Sequence, residues 1–246
     1  MYVKHLGADM VLHRARKVIG VLESAEQEHL RSGSVLVDPY ESAAGTSAIR
    51  LRVVRPLPAE VEVLTRQVVG ACREALDDLA LSLVVASRRA PRSTTFPIAP
   101  DAHSYLEVER HGLRHANQLA RRAVHSVTPW RGGDDVLWDL HLLASSDRPV
   151  IGLGQVVELA PTRVPSVLGV LQPGLETSRA CLPVSDGSRL AHPEAAVQLA
   201  LTYGEPTRIR PLVPTLRMLT AHVADVVDRV VGAAERPSTQ SGRPLG

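Results

Sequence analysis

The sequence predicts an α+β fold, a helix-rich single domain with a small antiparallel sheet. Three long segments repeat apolar residues at helical spacing, and shorter segments alternate apolar and polar residues as half-buried strands do. The chain shows no internal repeat and no clear linker. We therefore expect one domain over residues 1–235, followed by a tail at 236–246 whose polar, Pro- and Gly-containing composition is typical of disorder.

The first helix is predicted over residues 9–30, where apolar side chains recur every three or four positions. Its cations come early and its glutamates, Glu23, Glu26 and Glu28, come late, which opposes the helix dipole. Tertiary contacts must therefore hold this helix. Residues 31–47, with Ser, Gly, Asp and Pro, are predicted to form a loop.

A strand is predicted over residues 47–55, "SAIRLRVVR", because apolar residues alternate there with Arg50 and Arg52. The turn "PLP" ends it, and a second long helix follows over 59–87. The predicted buried face of that helix comprises Val61, Leu64, Val68, Cys72, Ala75, Leu79 and Leu83.

A proline-broken connector at 88–102 leads to the remaining predicted elements. Helices are expected at 103–127, 134–145 and 211–231, and strands within 148–159, 164–174 and 194–205.

Composition narrows the classes of function. Aromatic residues are 3% of the chain and the net charge is +2, so neither ring stacking on bases nor a global positive field is expected to be a main binding device. The cations are almost all arginine, which suits contacts to phosphate.

No cofactor, metal or membrane signature is evident in the sequence. The two cysteines have no metal-ligand spacing, His111 and His115 lack the glutamate of a zinc helix, and "GLG" at 152–154 lacks the third glycine of a dinucleotide turn. Without a long apolar run or a signal-peptide layout, the chain is expected in the cytoplasm.

The stretch "CREALDDLALSL", residues 72–83, places charges inside an apolar helix. Arg73 and Asp77 lie 40° apart on one flank, while Asp78 lies about 140° away on the other. The spacing favours a solvated Arg73–Asp77 ion pair over an acid–base site.

A basic stripe is predicted on the 103–127 helix, where it could follow phosphates. Arg50 and Arg52 of the strand could extend the stripe. The predicted nucleic-acid-binding set comprises Arg50, Arg52, Arg110, Arg114, Arg121, Arg122 and His125.

Three segments carry a resemblance to an uncharacterised bacterial family. Residues 50–83 resemble its PPLP turn and GDxLHNLRSALDHLA helix, "TTFPIAPD" at 94–101 its TxFPIxxD connector, and "LWDLHLLASSDRP" at 137–149 its LWxLHxLNxxDKHR segment. The R-x4-H of that helix is similar to the motif of the HEPN superfamily, many of whose members are dimeric, metal-independent ribonucleases.

Carried onto this chain, the resemblance assigns Arg73 to the arginine and Asp77 to its neighbour, but Asp78 stands where the family has histidine. Of the histidines in these motifs, only His141 is kept. An aspartate is a weak base at neutral pH and repels phosphate, so the motif is expected to have lost its chemistry.

The sequence thus favours a non-catalytic binding or scaffold protein that either self-associates or contacts a nucleic acid or protein partner. Two alternatives remain open. One is a metal-independent ribonuclease that uses Arg73 with another base, His141 or His125, and the other is a nucleic-acid binder using the basic stripe.

Overall fold

The computed structural model describes residues 6–41, 47–85, 94–146, 150–155, 180–183, 197–204 and 208–235. The chain divides into two compact units. The first unit comprises residues 1–15, 70–141 and 219–246, and the second comprises 16–69 and 142–218. The single domain expected over 1–235 stays a prediction.

The helical elements follow the apolar periodicity of the sequence. They are α1 (Leu6–Arg31), α2 (Ala59–Val85), α3 (Ala102–Gly112), α4 (Gln118–His125), α5 (Asp135–Ser145) and α6 (Leu212–Glu235). The predicted face of α2 is buried except at Leu64, which is half-buried. Leucine, valine and alanine dominate the core, as the low aromatic content requires.

The strands within the described residues belong to the second unit and form two antiparallel sheets. The first sheet has the order β1 (Val35–Glu41), β2 (Ser47–Val53), β4 (Ala180–Pro183). The second has the order β3 (Val150–Gln155), β5 (Val197–Tyr203), β6 (Arg208–Pro211). The helix-rich α+β class and the antiparallel pairing are confirmed.

The loop predicted at 31–47 is wrong over residues 35–41, which form β1. Val35 pairs with Val53 and Glu41 with Ser47, so β1 and β2 make a hairpin. Asp38 and Pro39 suggested a loop, but β1 lies at one edge of its sheet, where a proline without an N–H is tolerated.

The single helix predicted at 103–127 is also wrong, because the chain forms α3 and α4 with a turn between them. Leu113 caps α3 by donating its N–H to the Glu109 carbonyl, 2.8 Å away. Asn117 then starts α4, its Oδ1 accepting from the N–H of Ala120 at 2.8 Å. Side chains at 110–125 therefore do not share one helical face.

Two of the three late glutamates of α1 have tertiary partners, as the order of charges along the helix led us to expect. Glu23 pairs with Arg217 of α6. Buried Glu26 accepts a hydrogen bond of 2.7 Å from the N–H of Leu199 in β5. The predicted strand at 164–174 and the tail at 236–246 lie outside the described residues.

Candidate functional site

The middle of α2 forms a two-point ion pair. Arg73 Nε donates to Asp77 Oδ2 at 3.1 Å, and Arg73 Nη2 donates to Asp77 Oδ1 at 2.8 Å. The predicted pair is confirmed. The side chains are only 23% and 30% exposed, however, so the pair does not lie on an open, solvated flank as expected.

The Arg73–Asp77 pair binds both polar backbone groups of Phe96, its carbonyl and its N–H. Arg73 Nη2 donates to the Phe96 carbonyl oxygen at 2.8 Å, and the Phe96 N–H donates to Asp77 Oδ1 at 2.8 Å. Phe96 as a whole is 1% exposed. We call these two side chains and the Phe96 backbone the Phe96 clamp. It anchors residues 94–100, which belong to the connector predicted at 88–102, to α2.

Two further contacts fix the same connector. The Ala99 N–H donates to the Pro129 carbonyl at 3.0 Å, and the Arg131 N–H donates to the Ala99 carbonyl at 3.2 Å. At the end of α3, a Cβ on Gly112 would lie 2.5 Å from the Thr95 carbonyl oxygen, so only glycine permits this approach. The connector is therefore fixed to several elements of the first unit by backbone contacts.

Asp78, which the resemblance aligns with a histidine, lies beside the start of α1. A Cβ on Gly7 would lie 3.0 Å from Asp78 Oδ2. A carboxylate near the first turn of a helix is favoured by the helix dipole. Asp78 thus has a structural use on the flank of α2 away from Arg73.

His141 is the histidine that the chain shares with the quoted family segments. Its ring stacks on Trp138, with centroids 5.1 Å apart and planes inclined by 23°. Burial lowers the pKa of His141, and the positive charge of Arg73 lowers it further. The neutral imidazole therefore predominates at pH 7, which is the form that accepts a proton.

The predicted basic stripe is dispersed. Arg110 on α3 and Arg122 on α4 are exposed, and Arg114 lies exposed in the turn between these helices. Arg121 is used internally: its Nη2 donates to the Arg114 carbonyl at 3.1 Å, and its Nε lies 4.0 Å from Glu109. His125 packs its ring against aromatic neighbours.

Arg50 and Arg52 occupy β2, where Arg50 stands opposite Asp38 and Cys181 and Arg52 opposite Leu36. Their side chains lie outside the described ones, so the extension of the stripe onto the strand stays a prediction.

Metal and membrane sites can be checked in the described part of the chain. There, no group of three or more His, Cys, Asp or Glu side chains is placed to hold a metal ion. His111 lies on α3, and His115 lies in the following turn, so their spacing is not that of a zinc helix. No described helix is both long and apolar enough to cross a bilayer.

Sequence reasoning missed a second anchored pair, Asp134 and His222. His222 Nε2 lies 2.9 and 2.7 Å from the two Asp134 oxygens, and Asp134 Oδ1 accepts from the Leu137 N–H of α5 at 3.0 Å. Burial alone would raise the pKa of Asp134, but these hydrogen bonds outweigh it and lower the pKa. The two residues are 88 positions apart in the sequence, and no local pattern joins them.

Comparison of the chain with family models, with curated proteins and with solved structures finds no match. The resemblance described above therefore rests on the quoted segments alone.

Proposed function

We propose that this chain is a non-catalytic binding protein in which the α2 motif serves as scaffold. The observation that supports this most is the Phe96 clamp. Two nitrogens of Arg73 donate hydrogen bonds within the fold. Nε donates to Asp77, and Nη2 donates to Asp77 and to the Phe96 carbonyl. A guanidinium held in this way is committed to the fold.

Metal-independent cleavage of RNA needs a base for the 2′-hydroxyl and a cation for the anionic phosphorane. In the clamp, Asp77 lies against Arg73 and offsets its charge. This carboxylate repels phosphate, whereas Asp78, a second carboxylate on α2, lies on the other flank of the helix. The charge next to Arg73 therefore opposes the reaction that the motif would serve.

The test is a cleavage assay on a fluorogenic single-stranded RNA with the full chain. We expect no cleavage above that of Arg73→Lys, which keeps a positive charge but cannot make the two-point pair. Cleavage by the wild type that disappears in His141→Ala, while His111→Ala keeps it, would overturn the proposal. His111 is a suitable control because it is exposed on α3 and distant in sequence from the motif.

A ribonuclease using His141 is the second candidate, and the lowered pKa of His141 beside Arg73 favours it. In that case the rate should rise with pH through this lowered pKa, below the ordinary 6.5, and then level off. A rate that does not respond to pH in this window excludes His141 as the base.

The binding role leaves self-association, a protein partner or a nucleic acid as the partner class, and we place the protein in the cytoplasm. Sedimentation velocity over a range of concentrations tests self-association directly. A sedimentation coefficient that rises with concentration supports it, and a constant value of a monomer excludes it.

A further inference from the structure

Three rings from α3, α4 and the loop after α4 pack together in the first unit. Tyr105 of α3, His125 at the end of α4 and Trp130 of the following loop have centroids 5.1–5.5 Å apart, with planes inclined by 45–52°. Aromatic residues are only 3% of the chain, and two of them, Tyr105 and Trp130, lie in this cluster. The composition argued against stacking as a binding device, but the fold gathers the rings at one place.

The cluster is layered from the core to the surface. Tyr105 is fully buried, Trp130 is half-buried and His125 is exposed. Rings at these distances touch one another and leave no space between them for a cation, which excludes a cage for an alkylammonium group. What the cluster offers to solvent is therefore a ring surface supported from beneath.

Two exposed arginines are close in sequence to these rings. Arg122 precedes His125 by almost one turn of α4, and Arg131 directly follows Trp130. Both are exposed, and neither makes an ion pair with a residue in the described ranges. Of the acids in these segments, Glu109 lies 4.0 Å from Arg121 Nε, and Asp135 Oδ1 accepts from the Gly132 N–H at 2.9 Å.

The loop that carries Trp130 is tightly built. Thr128 and Gly132 have φ angles of 47° and 84°, and the Thr128 carbonyl accepts from the N–H groups of Trp130 and Asp134. A Cβ on Gly133 would lie 2.6 Å from the Thr128 oxygen and 2.9 Å from Trp130 Nε1. Because the loop is ordered by its own contacts, Trp130 is positioned before any ligand arrives, which lowers the entropic cost of binding.

We propose that His125, Trp130, Arg122 and Arg131 form a binding surface for single-stranded nucleic acid, which we call the His125 surface. An unpaired base stacks on the His125–Trp130 rings, and the flanking phosphates contact the two guanidinium groups. The proposal rests on the binding role inferred above and names its partner. It replaces the dispersed stripe with a compact set that adds Trp130 and Arg131.

The test is the fluorescence anisotropy of a labelled DNA oligothymidine titrated with the full chain at low salt, with inorganic polyphosphate as a second ligand. His125→Ala should weaken oligothymidine binding about 5- to 100-fold, because one base loses its stacking partner. It should leave polyphosphate binding unchanged, since polyphosphate has no bases. His111→Ala, another exposed histidine, should bind both ligands like the wild type.

Charge is tested separately. The double variant Arg122→Glu/Arg131→Glu should weaken both ligands by about tenfold or more and flatten the salt dependence. The matched control is Arg14→Glu/Lys17→Glu, which changes the net charge equally at exposed positions of α1. Absence of wild-type binding to oligothymidine, an unaffected His125→Ala variant, or an equal loss in the control would each overturn the proposal.

Failure of this inference is distinguishable from failure of the proposed function. Oligothymidine has no 2′-hydroxyl, so a chain that cleaves RNA by that group still gives a valid binding isotherm. RNA cleavage contradicts the non-catalytic role, whereas absent oligothymidine binding contradicts the His125 surface and leaves a protein partner.

Discussion

Helix α2 carries two ion pairs at the same i,i+4 spacing, and they do different things. Glu62–Arg66 has the more favourable order, with the acid first, and its side chains are 40% and 49% exposed. Arg73–Asp77 has the less favourable order, yet it is only 30% exposed or less and binds the Phe96 backbone as well. Only the second pair joins α2 to another segment.

The two pairs show that an ion pair contributes more to stability when it also binds a third group, here the Phe96 backbone. An exposed pair on one helix contributes about 0.3–0.5 kcal/mol, because water and salt screen both charges. When the same charges also satisfy a backbone N–H and a backbone carbonyl, losing one leaves several groups unpaired in a poorly hydrated place. The Phe96 clamp should therefore matter far more to stability than Glu62–Arg66.

The largest effect is expected for Asp77→Ala. This change removes the acceptor of both Arg73 and the Phe96 N–H, and leaves a half-buried guanidinium without its carboxylate. We expect the free energy of unfolding to fall by about 2–4 kcal/mol, measured by urea denaturation. The matched control, Glu62→Ala, should cost about 0.5 kcal/mol or less.

Equal losses for Asp77→Ala and Glu62→Ala would show that the clamp adds nothing to an ordinary helix pair. Arg73→Lys refines the result, since it retains charge but not the two-point geometry. Its loss of stability should fall between those of the two alanine variants.

Two helical glycines extend the comparison from charge to packing. A Cβ on Gly112 would meet the Thr95 backbone oxygen at 2.5 Å, whereas a Cβ on Gly70 of α2 would have no atom within 4 Å. Gly112→Ala should therefore destabilise the protein by about 1–3 kcal/mol. Gly70→Ala should stabilise it by about 0.5–1 kcal/mol, because alanine favours the helix. Thermal unfolding of both variants measures these opposite changes in stability. A stabilised Gly112→Ala would mean that the connector can move away from α3.

Periodicity predicted much of the fold because it reports burial directly. Helices α1, α2, α5 and α6 repeat apolar residues at helical spacing, and their faces are buried accordingly. The break between α3 and α4 escaped prediction because the apolar pattern continues through it. At the end of α3, Gly112 packs against the backbone of Thr95, a contact between positions 17 residues apart that the apolar pattern does not report.

The candidate site was predictable only as a list of residues. Sequence spacing identified the Arg73–Asp77 pair, but the Phe96 backbone bears no side-chain signature of being held. Trp130 was missed for a similar reason, because a tight loop rather than a periodic element brings its ring beside His125. Contacts set by loops and by backbone atoms leave no pattern in the sequence.

Glu26 offers the subtlest comparison with Asp77, since each carboxylate accepts a hydrogen bond from a backbone N–H, at Leu199 and Phe96 respectively. Asp77 has an arginine beside it. Burial raises the pKa of Glu26 above its ordinary 4.5, against the lowering effect of the Leu199 N–H. Charging Glu26 in the folded protein is therefore unfavourable.

The consequence is a dependence of stability on pH. A raised folded-state pKa means that the folded protein binds this proton more tightly than the unfolded chain does. The stabilising contribution of protonated Glu26 is thus complete below pH 4.5 and is lost as pH rises through the folded-state pKa. Glu26→Gln keeps an acceptor for Leu199 and cannot ionise, so it should match the wild type in acid and become relatively more stable as pH rises. Urea midpoints across this range measure the difference.

Glu26→Ala, which leaves the Leu199 N–H unpaired, should instead lose about 1 kcal/mol or more at every pH. A constant difference between Glu26→Gln and the wild type would show that Glu26 titrates alike in the folded and unfolded chain, and that a carboxylate without an arginine is held here at no electrostatic cost.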